Sequence, residues 1–271
     1  MSNGSRHQMH RYLGSSPAEN IAAIRQHGAQ WFALAEDVAT YVGGLIERLN
    51  IPAGNDTLLL AAVLLRRVAG AFEAVIVLAE RGMHTEGLAV RRALLEALFV
   101  LGAIHNQPAL VETYMKNDQH RRHAIFKKIK KLNPKIRAAL APELTPDLVD
   151  QNIAELGSTV KGTTYLGPEQ YAQAAKLYDQ YLTDYSFLSE ATHHAAKDLE
   201  RNVSLGSDGL VNGVHWGPEP NTPATLLSPA TEHALVAASA ALGMFGLGQP
   251  SEFTDLFRRA EKMFQEFMAA K

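Results

Sequence analysis

Two long apolar segments, close together in the chain, restrict the fold more than any other feature of the sequence. The first is capped by Asn55 or Asp56, contains "LLLAAVLLRRVAGAFEAVIVLAE" and stops at Gly82; the second begins near Thr85 and contains "LAVRRALLEALFVLGAI". Both are longer than a strand and apolar on nearly every side, which is typical of helices at the centre of a bundle. Charged residues interrupt both before the roughly 20 uncharged residues that span a bilayer. They therefore predict a helical core and no membrane segment.

Capping and stop signals predict further helices on both sides of this pair. Ser16, Pro17 and Glu19 form a capping box that opens a helix running to about Leu49. The other helices are predicted at 108–131, as two short pieces within 134–160, from Gly167 to about Arg201, and from capping serines at 228 and 251.

One segment breaks the helical pattern. "NVSLGSDGLVNGVHWGPEPNTP" combines Gly, Asn, Asp and Pro with short apolar pieces, which predicts an irregular or β-hairpin insertion near 203–222. No linker divides the rest of the chain. We therefore predict an all-α fold, a single helical bundle of about eight or nine helices over 15–271, preceded by a flexible segment at 1–14.

Charge and motifs exclude several classes of site. The net charge of −2 gives no overall electrostatic reason to bind nucleic acid or a membrane. The absence of cysteine excludes disulfides and thiolate metal sites, and together with the polar N-terminus it favours a cytoplasmic location. No H-E-x-x-H motif, G-x-G-x-x-G motif or P-loop occurs. We predict neither a metal nor a cofactor.

Two stripes of polar residues lie on helices that are otherwise largely apolar. Arg92 and Glu96 are four residues apart, as are Tyr185, Ser189 and His193, so each set shares a helix face. The stripes have three interpretations: an ordinary surface ion pair, a buried network that satisfies itself, or a site where the two helices meet. The choice of Arg92 over Arg91 as the inward-facing arginine rests on its spacing to Glu96.

If the stripes meet in a cleft, their chemistry suits a phosphodiester. Arg92 would hold the phosphate, and His193 would transfer protons near neutral pH. Glu96 would orient either Arg92 or the imidazole of His193. Ser189 and Tyr185 would donate hydrogen bonds. Acyl transfer is less suited, because no G-x-S-x-G elbow presents a serine nucleophile.

The strongest local charge asymmetry is at 120–137. "HRRHAIFKKIKKLNPKIR" contains eight lysines or arginines and no acid. This segment is either a solvated polar helix or a nucleic-acid-binding patch that follows a phosphate backbone. The residues that would contact nucleic acid are Arg121, Arg122, Lys127, Lys128 and Lys131.

The two stripes also carry a resemblance to a known family. Arg92-Ala93-Leu94-Leu95-Glu96 (R-x-L-x-E) and Tyr185/Ser189/His193 (Y-x-x-x-S-x-x-x-H) resemble the hallmarks of a widespread bacterial, all-helical family of unknown function, over roughly 55–200. A looser likeness is to HEPN domains, which are helical and include metal-independent RNases of toxin–antitoxin and antiphage systems that act as dimers. HEPN domains place Arg and His on one helix, whereas Arg92 and His193 are on different helices here.

Two hypotheses follow. The first is a HEPN-like, metal-independent ribonuclease of toxin or defence type, which implies RNA, a cognate antitoxin and a homodimer as partners. The second is a non-catalytic helical binding or scaffolding module in which the Arg/Glu/Ser/His network is structural.

A stripe of Phe253, Phe257, Phe264 and Phe267 on the last helix predicts either core packing or a dimer interface.

Overall fold

The structure, a computed structural model, describes Tyr12, residues 17–192, Glu200, and residues 203–214 and 217–269. Most of the predicted flexible segment 1–14 therefore lies outside the described residues. Tyr12 is described, and its hydroxyl donates to the carbonyl oxygen of Gly217 at 2.9 Å.

The described residues are mostly helical, which confirms the predicted all-α class. In chain order the elements are α1 (Pro17–His27), α2 (Ala29–Glu47), α3 (Asp56–Glu80), α4 (His84–Asn106), α5 (Leu110–Lys130), α6 (Pro134–Leu140), α7 (Pro146–Val160), α8 (Pro168–Ala175), α9 (Tyr178–Gln180), a π-helical turn (Tyr181–Tyr185), α10 (Ser186–Thr192), β1 (Val203–Leu205), β2 (Val211–Val214), α11 (Thr222–Met244) and α12 (Ser251–Ala269).

Helices α3, α4 and α11 form the centre of the bundle and pack against one another. Large side chains of these helices, such as Phe72 and Leu95, are fully buried, and Phe99 of α4 is buried against the rings of Tyr181 and Tyr185. Helix α2 covers α3 and α11, α8 and α10 cover α4, α12 lies on α2 and α11, and α5 pairs mainly with α7. The two apolar segments are thus central, as predicted. Within the described ranges, no helix is both long enough and apolar enough to traverse a bilayer.

The predicted hairpin insertion is confirmed. Strands β1 and β2 pair antiparallel, with Val203 opposite Val214 and an irregularity between Ser204 and Leu205. Gly209 in the connecting turn has φ +76°, a conformation that glycine adopts without strain. The strands are largely exposed, so the hairpin lies outside the core.

The predicted long helix from Gly167 is interrupted. Lys176 adopts φ +60°, and the N–H of Leu177 donates to the carbonyl oxygen of Ala172, which closes α8 in the manner of a left-handed C-terminus. The chain restarts as α9 and then widens into the π-helical turn. This change of direction sets the orientation of the π-helical turn and α10 against α4.

Helix α11 begins six residues earlier than the predicted cap at Ser228, so Pro229 lies inside the helix rather than in its first turn. Proline lacks the N–H that would donate to the carbonyl oxygen four residues earlier, so the carbonyl of Thr225 loses its helical partner. That carbonyl has another donor, the side chain of Arg91 on α4.

The predicted N-terminal helix is divided at Gly28, where it meets the start of α11. A Cβ at position 28 would lie 2.4 Å from Cβ of Pro223.

We expect Gly28→Ala to lower the free energy of unfolding by about 2 kcal/mol, because the backbones must separate. Gly43, in the same layer, has no atom within 4 Å of such a Cβ, so Gly43→Ala is expected to add ~0.5 kcal/mol. Urea unfolding of both variants checks this, and equal effects would contradict it.

Candidate functional site

Three of the five predicted site residues lie together. The Nη2 group of Arg92 on α4 donates to the hydroxyl of Tyr185 at 2.9 Å, and that hydroxyl donates to Oε1 of Glu96 at 2.9 Å. Arg92 and Glu96 also form the predicted i,i+4 ion pair, at 3.4 Å. We call Arg92, Glu96 and Tyr185 the Arg92 cluster.

The Arg92 cluster is partly open to solvent. The side chains of Arg92 and Glu96 are 23% and 43% exposed, whereas Tyr185 is buried. Burial raises the pKa of Tyr185, and the bond from Arg92 opposes that shift. The phenol therefore remains protonated at neutral pH and acts as a hydrogen-bond donor. The guanidinium carbon of Arg92 lies 5.1 Å from the Tyr185 ring centroid, within the range of a cation–π contact.

The other two predicted residues do not join this cluster in the described structure. Ser189 is half-buried on α10 and makes no side-chain hydrogen bond to the cluster. His193 lies outside the described residues. Its role as a proton-transfer group stays a prediction.

Arg91, which sequence reasoning passed over, is the more deeply buried of the two neighbouring arginines, at 3% exposure. Its Nη2 group forms an ion pair with Asp184, and its Nη1 group donates to the carbonyl oxygen of Thr225 at 3.2 Å. Burial lowers the pKa of Arg91 and the charge of Asp184 opposes that shift. Arg91 thus supplies the donor that the Thr225 carbonyl lacks because of Pro229.

His233 on α11 completes this second group. Its Nε2 lies 3.3 Å from Oδ2 of Asp184. Complete burial, with the nearby charge of Arg91, lowers the pKa of His233 to about 3, so the ring is neutral at pH 7 with its Nε2 facing the carboxylate. Burial also raises the pKa of Asp184, and Arg91 opposes that shift. We call Arg91, Asp184 and His233 the buried triad.

The π-helical turn explains why both groups can form. Adjacent arginines on α4 meet adjacent residues of the turn: Arg91 binds Asp184, and Arg92 binds Tyr185. Such turns are rare and occur frequently at functional sites. The sequence signal was present as Asp184-Tyr185 opposite Arg91-Arg92, but it can be used only once the two helices are known to be neighbours.

A cleft of about 410 Å³ lies beside the Arg91–Asp184 pair. Helix α4, the start of α10, the first half of α11 and the end of α12 form its walls. Its lining includes Arg91, Asp184, Phe187, Asn221, Ser228 and Phe264.

The predicted basic patch lies on α5, which packs mainly against α7. Arg121 contacts the ring of Tyr165, and Arg122 pairs with Asp118 at 3.0 Å. The exposed lysines at 127, 128 and 131 have no acidic partner among the described residues. These three lysines, unlike Arg122, therefore remain available to an anion.

Among the described residues, no group of three or more His, Asp or Glu is placed to hold a metal ion.

Comparison with known proteins gives one finding. The family of unknown function DUF5677 matches residues 58–210, more than half of the chain and a range that contains both polar stripes. No curated protein and no solved structure matches the chain.

Proposed function

The chain belongs to this family of unknown function, DUF5677. From the geometry of its site we propose that it is a HEPN-like, metal-independent ribonuclease of toxin or defence type, with Arg92 as its phosphate-binding residue. An RNA substrate implies a cytoplasmic location. A cognate antitoxin and a second copy of the chain are the partners that we propose with it.

The state of Arg92 carries the proposal. Tyr185 and Glu96 hold this side chain through Nη2 alone. The Nη1 group has no partner among the described residues and the side chain is 23% exposed, whereas Nε is buried, so Nη1 is the donor left for an anion. A guanidinium that is fixed in orientation and retains unused donors is suited to an anionic oxygen, and arginine is a common phosphate ligand.

The remaining groups have roles in a metal-free cleavage. The 2′-oxygen of the RNA attacks phosphorus and loses its proton to a base, while the 5′-oxygen leaves and takes a proton from an acid. His193 is the proposed proton-transfer group, which takes the proton of the 2′-hydroxyl and gives it to the departing 5′-oxygen, leaving a 2′,3′-cyclic phosphate. Ser189 is a hydrogen-bond donor, and Arg92 stabilises the charge on the phosphate oxygens. The basic residues of α5 would hold the RNA backbone at a distance from the reaction.

Cleavage of single-stranded RNA in the presence of EDTA tests the proposal. We expect the wild type to cleave, and Arg92→Ala and His193→Ala to lose at least ~100-fold in rate. Arg259→Ala is the matched control, because Arg259 also pairs with a carboxylate, that of Asp37, at 2.8 Å on a partly exposed surface. A folded wild type without cleavage, or equal rates in all variants, would overturn the proposal.

A non-catalytic binding or scaffolding module is the second candidate. The buried triad favours it, because Arg91, Asp184 and His233 join α4, the π-helical turn and α11 without requiring a substrate. In that case wild type and variants show no cleavage, and replacements in the triad lower the melting temperature strongly.

A further inference from the structure

The cleft beside the buried triad has the size of a small-molecule site. Its volume of about 410 Å³ is within the roughly 300–1,000 Å³ of ordinary ligand pockets. Two sides of it, α4 and α11, belong to the packed centre of the bundle. A ligand would therefore meet a largely preformed surface.

Aromatic rings form one wall of the cleft. Phe187 extends from α10, and Phe264 and Phe267 extend from the last turns of α12. Helix α12 is anchored at its beginning by the buried Phe253, while Phe264 near its end is 45% exposed. Partly exposed rings around a cavity are suited to stacking on a planar ligand.

The polar wall of the cleft, formed by residues of the π-helical turn and α11, offers donors and acceptors. The charges of Arg91 and Asp184 cancel, and Asp184 remains partly accessible. The side chains of Ser228 and Asn221 line the cleft and make no hydrogen bond within the described part of the chain. Glu219, at the same cleft, already has an interaction partner. This wall favours an uncharged ligand edge that both donates and accepts.

We propose that this cleft binds a nucleobase, stacked on Phe264 and read at its edge by Asp184, Ser228 and Asn221. A planar heteroaromatic ring with donors and acceptors on its rim satisfies both walls, whereas an aliphatic chain would leave the polar wall unpaired and an isolated ion would not use the rings. The inference rests on the proposed function for the source of the base, an RNA strand; a free nucleoside has the same chemistry.

Phe264→Ala and Phe257→Ala form a matched pair for the test. Both side chains lie on α12 and are similarly exposed, at 45% and 43%, but Phe257 does not line this cleft. Equilibrium dialysis of the full chain with adenosine, guanosine, cytidine and uridine, with ribose as the base-free probe, measures binding. We expect at least one nucleoside to bind, ribose not to bind, Phe264→Ala to weaken binding at least ~10-fold, and Phe257→Ala to leave it unchanged.

An oligoribonucleotide and its analogue with one abasic position distinguish the two sources. Competition by the intact strand and not by the abasic one identifies an extruded RNA base; failure of both strands to displace a bound nucleoside identifies a free nucleoside. No nucleoside or strand binding, or equal weakening by both phenylalanine variants, would overturn the inference. Base binding without RNA cleavage would support the base-binding cleft and contradict the proposed ribonuclease. RNA cleavage without base binding would support the ribonuclease and contradict the base-binding cleft.

Discussion

Arg91→Ala is expected to lower the free energy of unfolding by about 3 kcal/mol. The replacement leaves the carboxylate of Asp184 in a poorly solvated position with only His233 as partner. It also leaves the Thr225 carbonyl without a donor, because Pro229 has no N–H to offer. Removing one member of a pair that is largely shielded from water costs more than the pair contributes, since the Asp184 carboxylate is only 24% exposed. Urea unfolding followed by circular dichroism measures the loss.

Arg92→Ala is the natural control for this experiment. The two arginines are neighbours on α4, but the partners of Arg92 are a phenol and a carboxylate that is 43% exposed. Water replaces much of what is lost, so the expected cost is only about 1 kcal/mol. Equal losses in the two variants would mean that Asp184 is adequately solvated without Arg91.

Pro229→Ala separates the two contributions to the effect of Arg91. The new N–H at position 229 can donate to the Thr225 carbonyl within the helix, so that carbonyl no longer depends on Arg91. In this background the loss from Arg91→Ala should decrease by roughly 1 kcal/mol. An unchanged loss would assign the whole effect to Asp184.

The centre of the fold could be predicted because its signal is local. Residues 56–80 and 84–106 are apolar on nearly all faces, and only a central position satisfies such helices. The hairpin was predictable for the same reason, since Gly209 and its polar neighbours indicate a turn without reference to any other segment.

The division of roles between Arg91 and Arg92 could not be read in this way. Local spacing pairs Arg92 with Glu96 and gives Arg91 no partner, so it directs attention to Arg92. The partner of Arg91 is Asp184, 93 residues away, and its orientation depends on a π-helical turn with no local sequence signature. The predicted start of α11 was wrong because proline usually occupies the first turn of a helix, whereas Pro229 lies inside α11. Here Arg91 donates to the Thr225 carbonyl that Pro229 leaves without a helical donor.

The same buried triad predicts an unusual response to acid. The pKa of His233 is lowered to about 3 in the folded protein, against about 6.5 when exposed. Between these values the unfolded chain binds a proton that the folded chain does not, so lowering the pH through this range destabilises the fold. At about 1.4 kcal/mol per pKa unit, the loss from this one residue reaches about 3 kcal/mol by pH 4.

His233→Gln isolates this contribution. A glutamine amide can still donate to Asp184 but does not titrate. Burial raises the pKa of both Asp184 and Glu232, and these two groups therefore make the protein less stable as the pH rises, opposite to the effect of His233. Both carboxylates are present in the wild type and in the variant, so their contributions largely cancel in the difference. Unfolding free energies from urea titrations between pH 7.5 and pH 4 should therefore converge as the pH falls, with the wild type losing more than His233→Gln. Parallel curves would mean that the imidazole is accessible to water or protonated in the fold, and Arg91 and Asp184 would then form a simple ion pair without a third member.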